Sequence, residues 1–506
     1  MATIADRICV VIGRTRHKMV AAEIQEAAKR GARFMELRLD FVARAPDLRR
    51  LLQDKPCPMV ATVRRRQDGG RWSGNEPARQ MLLKHCIVNG FDWVDLETDI
   101  ADSIGRFKDV KRIVSYHNLT EFPEDLEDIY ERMSRQDADV LKVVVCAQRP
   151  ADNIRVLNLL KDALRPTVAF CSGDLGVPSR IASLKFGAPF TYAAFNKERG
   201  VMPGLPSFDE LKRVYHPETI DSSTELFGVV GDPVAHSFSP LVHNAAFRAL
   251  QINARYLPIR VPRGQLPGFL EAFTELDMRG YSVTIPHKEA AAQVALTHDD
   301  TVELTRAANT LLRRARGFHA VNTDYQAVLD CLRAHISPDA PPPIDLHHRQ
   351  ILILGAGGIA RAAAHAVHRA GGTVYIANRD LDRAKRLASE ISAEALDWNA
   401  RHRDGCEIVM NCTPIGMHPN LDESPVHASY LRPGMTIFDA VYTPETTMLI
   451  REARARGCQT ITGVELFVRQ AAEQFRLFTG KEAPIELMTR VVRRALSPVT
   501  IQNDEE

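Results

Sequence analysis

Lys142 stands inside the run Val140-Leu141-Lys142-Val143-Val144-Val145, a pattern that reads as a strand buried on both faces. An unpaired ammonium is costly there, so burial favours the neutral amine, the form that attacks a ketone. Lys142 is therefore a candidate Schiff-base lysine; an ion-paired barrel lysine is the alternative. His117 ends the preceding apolar run, in Ser115-Tyr116-His117-Asn118, near enough to shuttle a proton. A core or surface histidine would look the same.

Further along, His236-Ser237-Phe238-Ser239-Pro240 places two hydroxyls two residues apart. In an extended segment both point to one side and would clamp a carboxylate; a local Ser-rich turn is the alternative. Three more clusters follow, Ser282-Val283-Thr284-Ile285-Pro286-His287-Lys288, Ala308-Asn309-Thr310 and Asn322-Thr323-Asp324, each expected to close a strand. If Lys288 and Asp324 converge, they bind a polyol and protonate a carbonyl oxygen during hydride transfer; otherwise they are unrelated surface charges.

Gly355-Ala356-Gly357-Gly358-Ile359-Ala360 follows an apolar run and opens a helical pattern. Glycines there let the backbone approach a pyrophosphate, and the helix start supplies free N–H groups. Where an acidic residue would hold the ribose hydroxyls of NAD, the chain has Asn378-Arg379, with Arg383 four residues on. Cations suit a 2'-phosphate, so NADP is expected. Asp380, beside them, repels phosphate and keeps NAD open.

The elements that must position these residues are legible as short β-branched runs. Ile8 to Gly13, Phe34 to Asp40, Met59 to Arg64, Trp93 to Glu97, Arg112 to His117, Val140 to Ala147, Thr167 to Ser172 and Phe190 to Phe195 alternate with helical spacings such as Met19 to Arg30. Strand-then-helix repeats of this number predict a (β/α)8 barrel whose C-terminal strand ends carry the chemistry. Those ends hold Glu36, Arg38, Arg64, His117 and Lys142. His216 to Glu225 reads as a linker, and Pro338 to Pro343, with three consecutive prolines, breaks the chain again before Ile351. The expected domains are 1–220, a barrel; 225–335, a smaller α/β unit completed by C-terminal helices at about 465–498; and 345–464, a Rossmann dinucleotide-binding domain. Lys and Arg number 65 against 63 Asp and Glu, a net charge of +2, so no field recruits nucleic acid or an anionic membrane. Nine cysteines lack CxxC pairs or metal spacing, which predicts free thiols, no metal and a reducing compartment. With no spanning run of about 18 apolar residues and no signal-type leader before Ile8, the expected location is cytoplasmic.

Taken together these segments resemble the bifunctional 3-dehydroquinate dehydratase/shikimate dehydrogenase family over nearly the whole chain. Glu36-Leu37-Arg38, Arg64 followed by Asp68-Gly69-Gly70, Ser115-Tyr116-His117, Lys142 and Ser179-Arg180 are similar to type I dehydroquinate dehydratases. The serine, Lys288, Asn309, Asp324 and glycine motifs resemble shikimate dehydrogenases. So do Asn411-Cys412-Thr413-Pro414-Ile415-Gly416-Met417, Asp439-Ala440-Val441-Tyr442 and Gly463-Val464-Glu465 through Gln470. The resemblance implies a catalytic Lys142 and His117, with Glu36, Arg38, Arg64 and Arg180 on the substrate. It also implies Lys288 and Asp324 as an acid/base pair, with Ser237, Ser239, Thr284, Asn309, Tyr442 and Gln470 on the second substrate. Gly355, Gly357, Gly358, Ile359, Ala360, Asn378, Arg379, Arg383, Thr413 and Gly463 would hold NADP. The chain departs from the dehydratase pattern at Asp68, where the family has Glu, and in Val201-Met202-Pro203-Gly204-Leu205, where it has Ser-Ala-Pro-Gly-Gln. Loss of two polar contacts predicts weaker closure over 3-dehydroquinate. A quinate/shikimate dehydrogenase using NAD and a non-catalytic metabolite-sensing regulator are the competing readings.

Overall fold

The computed structural model describes residues 6–199, 201–339 and 341–497. By contact the chain divides into two compact units, one holding 1–226, 233–236 and 253–278, the other 227–232, 237–252 and 279–506.

In the first unit, β1 (Ile8–Ile12), β2 (Met35–Arg38), β3 (Met59–Thr62), β4 (Trp93–Glu97), β5 (Lys111–Asn118), β6 (Val140–Cys146), β7 (Thr167–Ser172) and β8 (Thr191–Ala194) form one parallel sheet. Its order is β7-β6-β5-β4-β3-β2-β1-β8. Val11 pairs with Ala194 across β1 and β8, which curls the sheet into a barrel; among the described residues no ladder joins β7 to β8. Alternation along each strand sends every second side chain inward. The lowest inward layer is apolar: Cys9, Phe34, Trp93, Ile113, Val140, Val168 and Phe190 pack in one cluster, with Phe34 edge-on to Phe190 at 5.2 Å. That plug leaves polar inward positions, two and four residues further along each strand, only at the C-terminal mouth.

The stretch expected to be a linker is bonded down. Arg7 Nη2 donates to the Ile220 carbonyl at 2.8 Å, Lys185 Nζ to that of Thr224 at 2.7 Å, and Arg255 Nε to that of Tyr215. Arg255 lies on β10 (Ala254–Arg260), within the part of the second half that clusters with the barrel.

The second unit carries β9 (Glu225–Gly231), β11 (Met278–Val283), β13 (Thr310–Arg314), β14 (Gly317–Val321) and β12 (Thr297–His298) side by side in that order. Because β13 runs antiparallel to β11, Thr310 faces Ser282 across the ladder. Asn309-Thr310 therefore opens a strand rather than closing one, and still arrives beside the end of β11. The other sheet holds β15 (Gln350–Leu354), β16 (Thr373–Asn378), β17 (Glu394–Asp397), β18 (Ile408–Asn411), β19 (Thr436–Asp439) and β20 (Gln459–Ile461). All its pairs are parallel, in the order β17-β16-β15-β18-β19-β20, the doubly wound Rossmann-type arrangement with its switch point beside β15. No described helix is long and apolar enough to cross a membrane.

Candidate active sites

Glu36, Arg38, Arg64, His117, Lys142 and Arg180 line one cavity at the barrel mouth. Lys142 Nζ lies 3.2 Å from Glu36 Oε2 and 3.1 Å from Asp95 Oδ2, and 4.0 Å above the Tyr192 ring. The lysine is thus ion-paired, the alternative that its apolar run left open, because the same strand layer supplies two carboxylates. Arg64 Nη2 sits 2.8 Å from Asp95 Oδ2, a close ion pair, and its Nη1 donates to Glu97 at 3.2 Å and to Ser115 Oγ at 3.0 Å. Behind it, Arg79 Nη1 donates to the other Glu97 oxygen at 2.7 Å. Burial would raise Asp95, but Arg64 and then Lys142 outweigh it and hold the carboxyl well below the usual range. Burial prevails at Glu97, which is raised despite its two guanidinium partners. Arg38 is gripped bidentately by Asp40, at 2.9 and 2.8 Å.

Three groups in the cavity that make no ion pair lack that satisfaction: His117, Arg180 and the Tyr192 hydroxyl. His117 is buried with Nδ1 unbonded, and burial, then Arg64 and Lys142, push it well below the ordinary histidine value. It is a neutral base. Arg180 is 1% exposed, its Nε and Nη1 have no partner, and among the described residues its guanidinium meets the Met202 sulfur at 3.1 Å and the Phe170 ring at 4.2 Å. Desolvation pushes it down to about 9. A buried guanidinium with no carboxylate beside it is a strong demand for an anion.

Sequence reasoning missed Asp95, Glu97 and Tyr192. The first two carry a signal: in Trp93-Val94-Asp95-Leu96-Glu97 the acids alternate with apolar residues, so they face the barrel axis together. Asp68 lines the cavity but is held by Arg65 at 2.6 Å.

In the second unit Lys288 Nζ and Asp324 Oδ2 are 2.6 Å apart. Lys288 opens the helix Lys288–Val294, and Asp324 lies in the first turn of Thr323–Ile336. Asn322 caps that turn by accepting from the Asp324 N–H. Asn309 braces the pair's surroundings: it donates to Thr323 Oγ1 at 2.9 Å and accepts from Thr310 Oγ1 at 2.8 Å. Gln474, unanticipated from sequence, ties the Asn309 carbonyl and Thr310 to Ser282. Thr284 is half-buried beyond the end of β11, and Gln470 Nε2 donates to the Phe467 carbonyl of its own helix. Ser237 and Ser239 are not in an extended segment. Pro240 favours a first helical turn, so Ser239 begins the helix Ser239–Ala249 and its N–H donates to Ser237 Oγ at 3.2 Å. Tyr442 lies over Phe467 at 5.2 Å and meets Phe238 edge-on at 6.0 Å.

Lys288 also reaches the glycine loop: a Cβ on Gly358 would lie 3.3 Å from Lys288 Cδ. Gly355 has φ +114° and presses on the Cys412 carbonyl, where a Cβ would come within 2.9 Å. Only glycine fits both demands. Gly357 caps the helix Gly358–Arg369 with no side chain bonding its first N–H groups, while a Cβ on it would meet open space. Ala360 is buried in that helix and Ile359 packs against the core beside it. Thr413 Oγ1 donates to Asn411 Oδ1 at 2.7 Å, and Gly463 opens the helix Gly463–Thr479. At the end of β16, Asn378 Nδ2 donates to the Asp380 carbonyl. The Asp380 carboxylate accepts from the Arg383 N–H as the cap of Leu381–Glu390. Arg379 and Arg383 are exposed and, among the described residues, in no ion pair.

Comparison with known proteins separates the same two halves. The Type I 3-dehydroquinase family model matches residues 8–222. The shikimate dehydrogenase substrate binding domain matches 229–311, the Shikimate / quinate 5-dehydrogenase model 340–421, and the Shikimate 5'-dehydrogenase C-terminal domain 463–493. A chloroplastic bifunctional 3-dehydroquinate dehydratase/shikimate dehydrogenase of Arabidopsis thaliana is 34% identical over 96% of this chain and 84% of its own length. The chain belongs to the bifunctional 3-dehydroquinate dehydratase/shikimate dehydrogenase family. Its second half is also 37% identical to an NADP-dependent shikimate dehydrogenase of Moorella thermoacetica, a match spanning 55% of this chain and 95% of that one. A solved shikimate dehydrogenase in complex with NADP+ aligns with TM-score 0.51 and 33% identity over 55% of this chain and 97% of its own. That of Aquifex aeolicus aligns with 0.50 and 29% over 54% and 99%.

Proposed function

We propose that this chain dehydrates 3-dehydroquinate to 3-dehydroshikimate in its barrel and reduces that product to shikimate with NADPH in its second half. The observation that carries the reading is one cavity holding an amine, a neutral imidazole and a guanidinium with no anionic partner among the described residues. Arg180 takes the substrate carboxylate, and Glu36, Arg38 and Arg64 orient its hydroxyls. Glu36, 3.2 Å from Nζ, stands to receive the proton that Lys142 must lose before attack, while Asp95 holds the ammonium in place. The amine adds to the C3 ketone and water leaves as the imine forms. Neutral His117 removes a C2 proton, the enamine expels the C1 hydroxyl, and His117 returns the proton to it as water. Hydrolysis frees Lys142.

The glycine loop and Arg379 fit an NADP. Gly357 leaves room and bare N–H groups for a pyrophosphate, and Asp380, engaged as a helix cap, leaves two free guanidiniums for a 2'-phosphate. Gly355, Gly358, Ile359, Ala360, Asn378, Thr413 and Gly463 complete the cradle. When bound, NADPH supplies hydride to the substrate carbonyl. Lys288, aligned by Asp324, donates the proton to that carbonyl oxygen, while Ser237 and Ser239 hold the carboxylate and Thr284, Asn309, Tyr442 and Gln470 the ring hydroxyls. The domain boundaries that go with this reading are 1–220, 225–335 with the terminal helices, and 345–464. A reducing, cytoplasm-like compartment goes with this reading.

Product analysis tests the whole proposal. With 3-dehydroquinate alone, 3-dehydroshikimate accumulates; with NADPH added, shikimate does. The apolar Val201 and Leu205 at the mouth support a KM for 3-dehydroquinate above that of ordinary dehydratases. Failure to consume either ring compound refutes the proposal.

A further inference from the structure

Among the described residues, Arg180 owes its one side-chain hydrogen-bond contact to a residue that the proposed reaction does not use. The segment 201–205 crosses the barrel mouth, with Val201, Met202 and Leu205 packed against the interior cluster. It is pinned at both ends and in the middle. A Cβ on Gly13 would lie 2.9 Å from Val201 Cγ1, and the Ala194 N–H donates to the Pro206 carbonyl at 2.9 Å. The Gly173 N–H donates to the Pro203 carbonyl at 3.3 Å, and Gly204, at φ +69°, sits so close to the Gly173 carbonyl that a Cβ would come within 2.5 Å. Gly173 leads into the helix Val177–Ala182 that carries Arg180. Held this way, the Met202 sulfur stands 3.1 Å from Arg180 Nη2. Met202 lines the same cavity as Lys142, His117 and Arg180.

We propose that Met202 is a specificity-determining residue of the barrel site, whose thioether occupies the place at Arg180 that a substrate carboxylate must take. Binding exchanges a weak N–H···S contact for charge-assisted N–H···O bonds, so it succeeds only for ligands whose anion repays displacing Met202 and its neighbours. Neutral ring ketones offer no such exchange and are excluded. The inference rests on the dehydratase reading for the identity of the substrate but not for the exchange itself.

Two measurements on the full chain keep the two apart. Methyl-labelled methionine is followed by NMR as cyclohexanecarboxylate, an inert anion, is titrated in; the Met202 methyl, identified by its loss in Met202→Leu, moves with saturation. Steady-state kinetics then compare Met202→Ala and Met202→Leu with the parent. Removing the competitor lowers both the Kd of the inert acid and the KM for 3-dehydroquinate about tenfold in the Ala variant, the scale of one hydrogen bond to a charged group. kcat stays within about twofold, and Leu, which keeps the bulk, shifts less than Ala. A Met202 methyl unmoved by bound acid, or an Ala variant with unchanged or raised Kd and KM, overturns the inference even if dehydration proceeds. A shifted methyl and tighter acid binding without any turnover sustain it and refute the dehydratase reading instead.

Discussion

His117 is kept neutral by its surroundings, and that has a sign. Burial, Arg64 and Lys142 depress its pKa well below 6.5, so the folded protein resists protonation there. The stability this contributes is complete above the unfolded value of about 6.5 and is lost as pH falls toward the depressed folded value. For catalysis, kcat/KM of the dehydration is expected to stay level as pH drops through about 6.5 and to fall only at lower pH. A pH–rate profile of the parent enzyme with an acid limb centred near 6.5 contradicts a buried base. Lys142 faces a different demand, because Glu36 and Asp95 hold its ammonium and the proton must leave before carbon–nitrogen bond formation. Borohydride added with 3-dehydroquinate is expected to fix substrate mass on Lys142, located by peptide mass spectrometry. An adduct on another lysine, or none, removes Lys142 from the chemistry.

At the scale of elements, the choice of dinucleotide is expected to lie at the end of β16. Arg379 and Arg383 are exposed, whereas Asp380 spends its carboxylate capping the next helix. Arg379→Ala is therefore expected to raise the KM for NADPH about tenfold or more through lost charge-assisted contacts, with that for NADH nearly unchanged; equal effects sink the assignment. Asp380→Ala is expected to cost about 1 kcal/mol of stability, the usual worth of a cap, read as a lowered urea midpoint. The barrel strands were legible because both faces are buried, so apolar runs such as Thr167 to Ser172 mark them directly. β14 was not, since the hairpin leading into it reads Arg313-Arg314-Ala315-Arg316-Gly317 and looks like a solvated loop. The Ser237 to Ser239 geometry was misjudged because Pro240 starts a helix where alternation was assumed. Lys142, His117 and Arg180 were legible as residue types, but their ion pairs and unmet bonds depend on which strand neighbours share an inward layer. Single-run reading carries no such information.

At the scale of the molecule, the groups to which the proposed chemistry gives roles fall in separate units: Lys142, His117 and Arg180 in the barrel, Lys288 and Asp324 against the glycine loop in the other. In the proposed mechanism no proton-transfer group is common to both reactions, so chemistry in one half is expected not to require an intact partner site. Lys142→Ala is accordingly expected to abolish dehydration of 3-dehydroquinate while leaving the NADPH-dependent reduction of added 3-dehydroshikimate within about twofold of the parent, since additivity holds for sites without common contacts. Lys288→Ala should do the reverse, converting 3-dehydroquinate but letting 3-dehydroshikimate accumulate with NADPH unconsumed. The loss in either variant is expected to exceed about a hundredfold in kcat, the range for removing a group that moves a proton or forms the bond. Product quantification with each variant, and with the two mixed, checks the separation: mixing restores shikimate formation through released 3-dehydroshikimate. If either single substitution silences both reactions while the folded protein persists by circular dichroism, the two sites are energetically one system, and independent catalytic halves on a shared chain are ruled out.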